Sequence, residues 1–141
     1  MKGYLYIVGG GYDPSTGACL NDPHFEGVPS LGACMPNIRR QVNPGDGIFA
    51  VSGRTKGLEQ FVLGGFMVEE VIPSAVTAYF RYPEQRLHRL ADGQLAGNII
   101  TTATGQQHPF DHHPSLTFNE RNKNYETLIA GNTRPERAQR R

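Results

Sequence analysis

The 141-residue chain predicts an α+β domain, a small, strongly bent β-barrel with short peripheral helices. Three observations carry that expectation. Its apolar segments are short and rich in β-branched and aromatic residues, as in YLYIV at 4–8 and GIFAVS at 47–52. Turn formers are abundant, with 17 glycines and 10 prolines, which disfavours long helices. The apolar run FVLGGFMVEEV carries Gly64-Gly65 in its middle, the mark of a bulge or sharp bend that a small barrel needs.

Length and an apolar fraction of 38% fit one domain with one modest core, spanning residues 1–132. The basic segment 133–141, TRPERAQRR, reads as a disordered tail. A net charge of +1 places no bulk electrostatic demand for a nucleic-acid partner. No apolar run approaches the roughly 20 residues of a membrane helix, so no membrane partner is expected. Two cysteines, Cys19 and Cys34, make no disulfide framework, and the start MKGYLYIVGGG reads as a first strand rather than an export signal. A cytoplasmic, reduced protein is the expectation.

Residues 4–8 form the first strand, ended by Gly9-Gly10-Gly11. A dinucleotide fingerprint starting at Gly9 requires glycine where Pro14 stands, and no helical pattern follows. The glycines therefore read as a tight exit from the barrel. Residues 11–30 read as a long loop with turn starters at Asp13-Pro14 and Asp22-Pro23. Tyr12, His24 and Phe25 give this loop an aromatic content that a solvated linker does not need. Pro36 opens a helix to about Gln41, with Ile38 and Val42 toward the core and Arg39 and Arg40 outward or along the rim. Residues 43–46, Asn-Pro-Gly-Asp, turn the chain into a strand, with Asp46 holding its own loop.

Strands follow at 47–52 and 60–71. The second is apolar on both faces, the pattern of a strand covered on both sides. The connector between them places Arg54 and Lys56 at the barrel mouth. Ser74 caps a short helix over 74–80, and 85–91 reads as another. Residues 98–103 and 125–130 read as closing strands. The stretch between them is a polar, His-rich loop.

The run from Asp13 to Gly53 resembles the nucleotide-modification-associated domain family, its second described type. The resemblance rests on Asp13, on Gly27-Val28-Pro29-Ser30-Leu31-Gly32-Ala33-Cys34, on Met35-Pro36-Asn37-Ile38-Arg39 and on Gly45-Asp46. Downstream islands are Gly65-Phe66-Met67-Val68-Glu69-Glu70, Gly97-Asn98-Ile99-Ile100 and His108. Met35 stands where the family usually has lysine, and the chain has no tryptophan. A weaker resemblance links the segments Asp46 to Ser52 and Leu63 to Val68 to PUA-like domains (ASCH, EVE and YTH). Together these resemblances imply a PUA-like barrel with a pocket for a nucleotide or modified base. Tyr12, Phe25 or Tyr82 would stack on the base in place of tryptophan.

The candidate ligand-binding set is Tyr12, Asp13, Phe25, Ser30, Asn37, Arg39, Ser52, Arg54, Asn98 and His108. Asn and Ser can read a base edge, and Arg can hold a phosphate or carboxylate by two parallel bonds. Such a protein is a binding module for a nucleotide, a modified base or nucleic acid, with no catalytic residues, metal or cofactor assigned. One alternative is a small enzyme that uses His108 and Asp111 as acid–base groups on a nucleotide. A further alternative is a protein-interaction domain. His108, Asp111, His112 and His113 also offer metal-ligand chemistry, but the adjacent pair His112-His113 follows no ligand spacing on a core strand. Cys34 sits just before a helix, where the helix start would lower its pKa. Oligomeric state is left open by the sequence.

Overall fold

The computed structural model describes residues 1–8, 22–25, 27–53, 59–60, 62–113, 116–122 and 124–127. Among them run strands β1 (Gly3–Val8), β2 (Ser30–Leu31), β3 (Gly47–Ser52), β4 (Val62–Met67), β5 (Glu70–Ile72), β6 (His88–Arg89), β7 (Leu95–Ala96) and β8 (Tyr125–Thr127). Helices are α1 (Pro36–Arg39), α2 (Ala75–Arg81) and α3 (Phe118–Arg121), with a 3-10 turn at Pro83–Gln85. The fold is α+β. The strands form two three-stranded sheets, β1-β3-β4 and β2-β8-β5, and the pair β6-β7; none closes on itself among the described residues. No helix among them is long and apolar enough to cross a membrane.

The first sheet pairs β1 parallel to β3, and β3 antiparallel to β4. A register shift between Ala50 and Val51 lies beside Gly64-Gly65, where the sequence predicts a bend. The two glycines serve opposite faces. A Cβ on Gly64 would stand 2.7 Å from Phe25 Cζ inside, and one on Gly65 would stand 2.9 Å from Phe49 Cε1 outside. Inside, Ile48 and Phe66 pack with Leu31, Ile38, Val42 and Val68. Ile38 and Val42 face this core as their spacing predicts. The turn after α1 is held by Asp46, whose carboxylate accepts from the amides of Lys2 and Asn43, both at 2.9 Å. Those bonds hold its pKa below the ordinary carboxylate value.

A second core gathers Ile72, Ala78, Tyr82, Ile99 and Tyr125. Ser74 caps α2 as expected, accepting from the Thr77 amide at 3.2 Å.

Several expectations are corrected. The segment 60–71 is two strands, because the chain changes partners at Val68 and Glu69. The Val68 amide donates to Asp46 O at 2.7 Å, and the Glu69 amide donates to Thr127 O at 3.1 Å. This exchange passes the chain from one sheet to the other. Among the described residues nothing covers the outer face of β4: Val62 and Met67 are exposed. Residues 85–91 form no helix. Gln85 ends the 3-10 turn, and Asp92-Gly93 turns β6 into β7, with Gly93 at φ +86°. Residues 98–103 make only the isolated bridges Arg86↔Ile99 and Thr101↔Gln107. Within the expected polar, His-rich segment 104–123, α3 forms behind a capping box of Thr117 and Glu120. The expected loop 11–30 ends in a strand: Ser30 opens β2, which pairs with β8. Of 125–130, residues 125–127 are strand; the rest, with the tail and the Arg54–Lys56 connector, lies outside the described residues.

Gly32 tests this packing. A Cβ there would stand 2.8 Å from Tyr125 Cδ2 and 2.9 Å from Asn98 O, both enclosed. Gly32→Ala is expected to destabilise by about 1–3 kcal/mol in urea unfolding. Gly3→Ala, with its nearest atom at 3.8 Å, is expected to stay within about 1 kcal/mol of the parent.

Candidate functional site

Five side chains distant in sequence meet in one buried polar centre. The Asp22 carboxylate accepts from the amides of Gly32 (2.8 Å), Ala33 (2.9 Å) and Cys34 (2.5 Å), and from Asn98 Nδ2 (3.0 Å). Asn98 Nδ2 also donates to Ser30 Oγ at 2.9 Å, and its Oδ1 accepts from the Tyr125 hydroxyl at 2.6 Å. Ser30 Oγ donates to Gln85 Oε1 at 2.5 Å, and Gln85 Nε2 donates to Val28 O at 2.7 Å. That last bond fixes which end of the Gln85 amide faces Ser30. Burial raises the Tyr125 pKa, so its hydroxyl keeps its proton as a donor.

Arg39 lies next to this centre and is fully enclosed, which corrects the expectation that it points outward. Its guanidinium donates to the carbonyls of Cys34 (2.9 Å), Ala33 (3.4 Å), Asn124 (2.6 Å) and Arg121. Asn124 Nδ2 returns a bond to Arg39 O at 3.1 Å. The side chain turns inward because two chain segments end there with carbonyls in need of donors. Arg39 thereby ties the loop before α1 to the chain after α3. Burial lowers its pKa, against the opposing charge of Asp22.

Cys34 and Tyr6 border the same carboxylate. Burial, followed by the Asp22 charge, pushes the Cys34 thiol up to about 12. This reverses the expected lowering: α1 is a single turn, and the nearest full charge is negative. A thiol so placed is not a nucleophile at neutral pH. Burial also raises the Tyr6 pKa.

Among the described residues, Glu126 is the charged-type side chain left without a partner in the interior, alongside the unpartnered hydroxyls of Thr101 and Thr127. In the β2-β8-β5 sheet it stands between Leu31 and Val71. It is fully enclosed, and neither carboxylate oxygen has a hydrogen-bond partner. Burial pushes its carboxyl up to about 9, with Arg39 opposing and Asp22 reinforcing the shift. It therefore carries a proton at neutral pH.

At the surface, Gln107, Asp111, His112, His113, Phe118 and Arg121 line a cleft of about 320 Å³ with Leu116 and Thr117. The cleft is anchored by Arg121, which grips both Asp111 oxygens at 2.7 Å, both side chains being buried. Gln107 Nε2 donates to Asp111 Oδ2 at 2.9 Å. Burial raises the Asp111 pKa, but the Arg121 and Gln107 bonds outweigh it and hold the pKa below its ordinary value. His113 Nδ1 accepts from the Leu116 amide at 2.9 Å, and burial followed by the Arg121 charge lowers its pKa. His108 is not among the residues that line the cleft; its Nδ1 accepts from the Phe110 amide at 3.0 Å and its ring lies 5.1 Å from the Phe110 ring. The Arg89 guanidinium lies 4.8 Å over that same ring.

Of the residues singled out in the sequence, Ser30 and Asn98 meet in the buried centre and Arg39 braces it. Phe25 is half-buried, edge-on to Phe66 at 6.4 Å. Asn37 is exposed on α1, its Oδ1 accepting from Arg40. Ser52 is buried at the end of β3. Tyr12, Asp13 and Arg54 lie outside the described residues. Sequence reasoning missed Asp22, Gln85, Tyr125, Glu126 and Arg121. Asp22-Pro23 signalled only a turn, and no local pattern marks the others. No family model, curated protein or solved structure matches the chain.

The Glu126 carboxyl has its folded pKa above the ordinary value of 4.5, at about 9. Between those values the folded state binds the extra proton. Stability therefore falls as pH rises through that window, by up to about 1.4 kcal/mol per pH unit, and is fully present below it. Glu126→Gln cannot ionise, so it is expected to be more stable than the parent at pH 8 and to flatten this slope in urea unfolding. An unchanged slope would show that Glu126 does not hold the proton.

Proposed function

We propose that this chain is a non-catalytic module that binds a nucleotide or a modified base, free or within nucleic acid, in association with nucleic-acid modification. The observation that carries the reading is the cleft between Gln107, residues 111–113, residues 116–118 and Arg121. Its volume of about 320 Å³ lies at the small end of ligand pockets, the scale of a base or nucleoside. Phe118 offers a ring, while Gln107, His112 and His113 offer polar groups on one rigid anchor, Asp111 with Arg121. A flat heterocycle needs these two things, a face to lie against and fixed partners for its edge.

In finer detail the fold reads as a PUA-like barrel. The sheets β1-β3-β4 and β2-β8-β5, joined at Val68 and Glu69, are the two halves of such a bent barrel in this reading. The islands that carry the family resemblance also converge. The 32–34 amides meet Asn98 on Asp22, and Gly45 and Asp46 bond Val68. Asp111 is held ionised by Arg121, so it is a poor general acid, and the non-catalytic reading is preferred.

A thermal-shift screen against plain and modified nucleosides, nucleotides and short oligonucleotides tests the proposal. A ligand at a hundred times its dissociation constant adds about 2.7 kcal/mol of stability. The expected result is a selective shift that weakens several-fold in affinity with His112→Ala and with Gln107→Ala. A flat screen on folded protein, or a shift indifferent to both substitutions, would overturn the cleft reading. Turnover of a screened nucleotide would replace the binding module with the enzyme.

A further inference from the structure

The outer face of the first sheet is apolar at every position its register defines. Gly3, Leu5 and Ile7 of β1 stand beside Gly47, Phe49 and Val51 of β3. Met67, Gly65 and Val62 of β4 continue the same three rows. None of these side chains carries a charge or a hydrogen-bonding group. Leu5 is 63% exposed, Ile7 58% and Val62 48%, with Phe49 and Met67 at 39% each.

Phe49 makes the face low rather than ridged. Its ring lies over the glycine row, so that a Cβ on Gly47 would stand 2.9 Å from Cε2 and one on Gly3 would stand 3.8 Å from it. Scattered exposed apolar side chains are ordinary on proteins. An unbroken patch on the order of 400 Å² is at the scale that marks interaction sites. The sequence of β4 has the pattern of a strand covered on both sides, yet among the described residues only the inner face is packed over.

We infer that the missing cover is a second copy of this chain, stacked through the same face about a two-fold axis. A partner presenting polar or charged groups would leave them unpaired against this face. Another flat apolar sheet satisfies it, and each copy carries one. Two sheets stacked about 10 Å apart interdigitate their side chains in this way. The pair would bury on the order of 800–1,000 Å², below the roughly 1,200 Å² of a standard stable interface and within the range of weak, reversible pairs. A net charge of +1 opposes the association little. Because both copies use the same patch, the assembly closes at two.

Sedimentation equilibrium of the full chain across the micromolar range tests the inference, with unfolding temperature followed against concentration. The expected result is a monomer–dimer equilibrium and an unfolding temperature that rises with concentration. Ile7→Glu and Met67→Glu are each expected to weaken the dimer by about tenfold or more. The milder pair Leu5→Thr and Val62→Thr keeps strand propensity while removing apolar surface, so it reports on association even where a charged variant misfolds. Far-UV circular dichroism confirms that each variant is folded. A parent that stays monomeric at every concentration would overturn the inference. So would a dimer that survives the substitutions, or aggregation beyond two copies.

Discussion

The carboxylate of Asp22 takes four donors at once: three consecutive backbone amides and the Asn98 side chain. Around it the chain is obliged to turn. Residues 32–34 wrap onto the two oxygens and deliver the chain into α1, while Asn98 brings in the segment that follows the β6-β7 pair. A buried carboxylate is stable only when its lone pairs are filled, so removing any one donor leaves a charge to be carried by the rest. The centre therefore acts as one cooperative unit. Ser30, Gln85 and Tyr125 extend it by satisfying one another, and they join the second core to the first.

Arg39 does for carbonyls what Asp22 does for amides. Its planar fork reaches several acceptors from two distant segments without leaving a donor exposed to an apolar wall. With these two ions committed to the backbone, the interior is rigid and has little chemistry left to offer a ligand. Among the described residues, further polar groups line the cleft around Asp111 and Arg121 and the exposed side of α1. Glu126 stands apart, as an enclosed acid that has to stay protonated because its neighbours Leu31 and Val71 provide no partner.

The two faces of the first sheet show how glycine distributes aromatic rings. Gly64 admits Phe25 on the inside and Gly65 admits Phe49 on the outside, so a single dipeptide bends the strand and seats a ring on each face. Inside, that ring completes a core. Outside, it flattens a surface whose apolar side chains, among the described residues, stay exposed.

Local pattern in the sequence determined the strands at 4–8 and 47–52, the proline-started turn of helix, the Asp46 turn and the Ser74 cap. Each rests on contacts within a few residues: alternation, a fixed φ, a side chain reaching its own backbone. The sequence also singled out Ser30, Arg39 and Asn98, but as candidate ligand-binding positions. Only the tertiary structure decided what those residues do. Asp22 read as a turn starter because its four donors come from 10 to 76 residues away. Arg39 read as a rim residue because the carbonyls it binds lie largely beyond its own helix. Residues 60–71 read as one strand because nothing local marks Val68 and Glu69 as the point where the ladder changes partners. Hydrogen-bond satisfaction in a buried site is a sum over distant segments, and a linear pattern carries no record of which segments will meet.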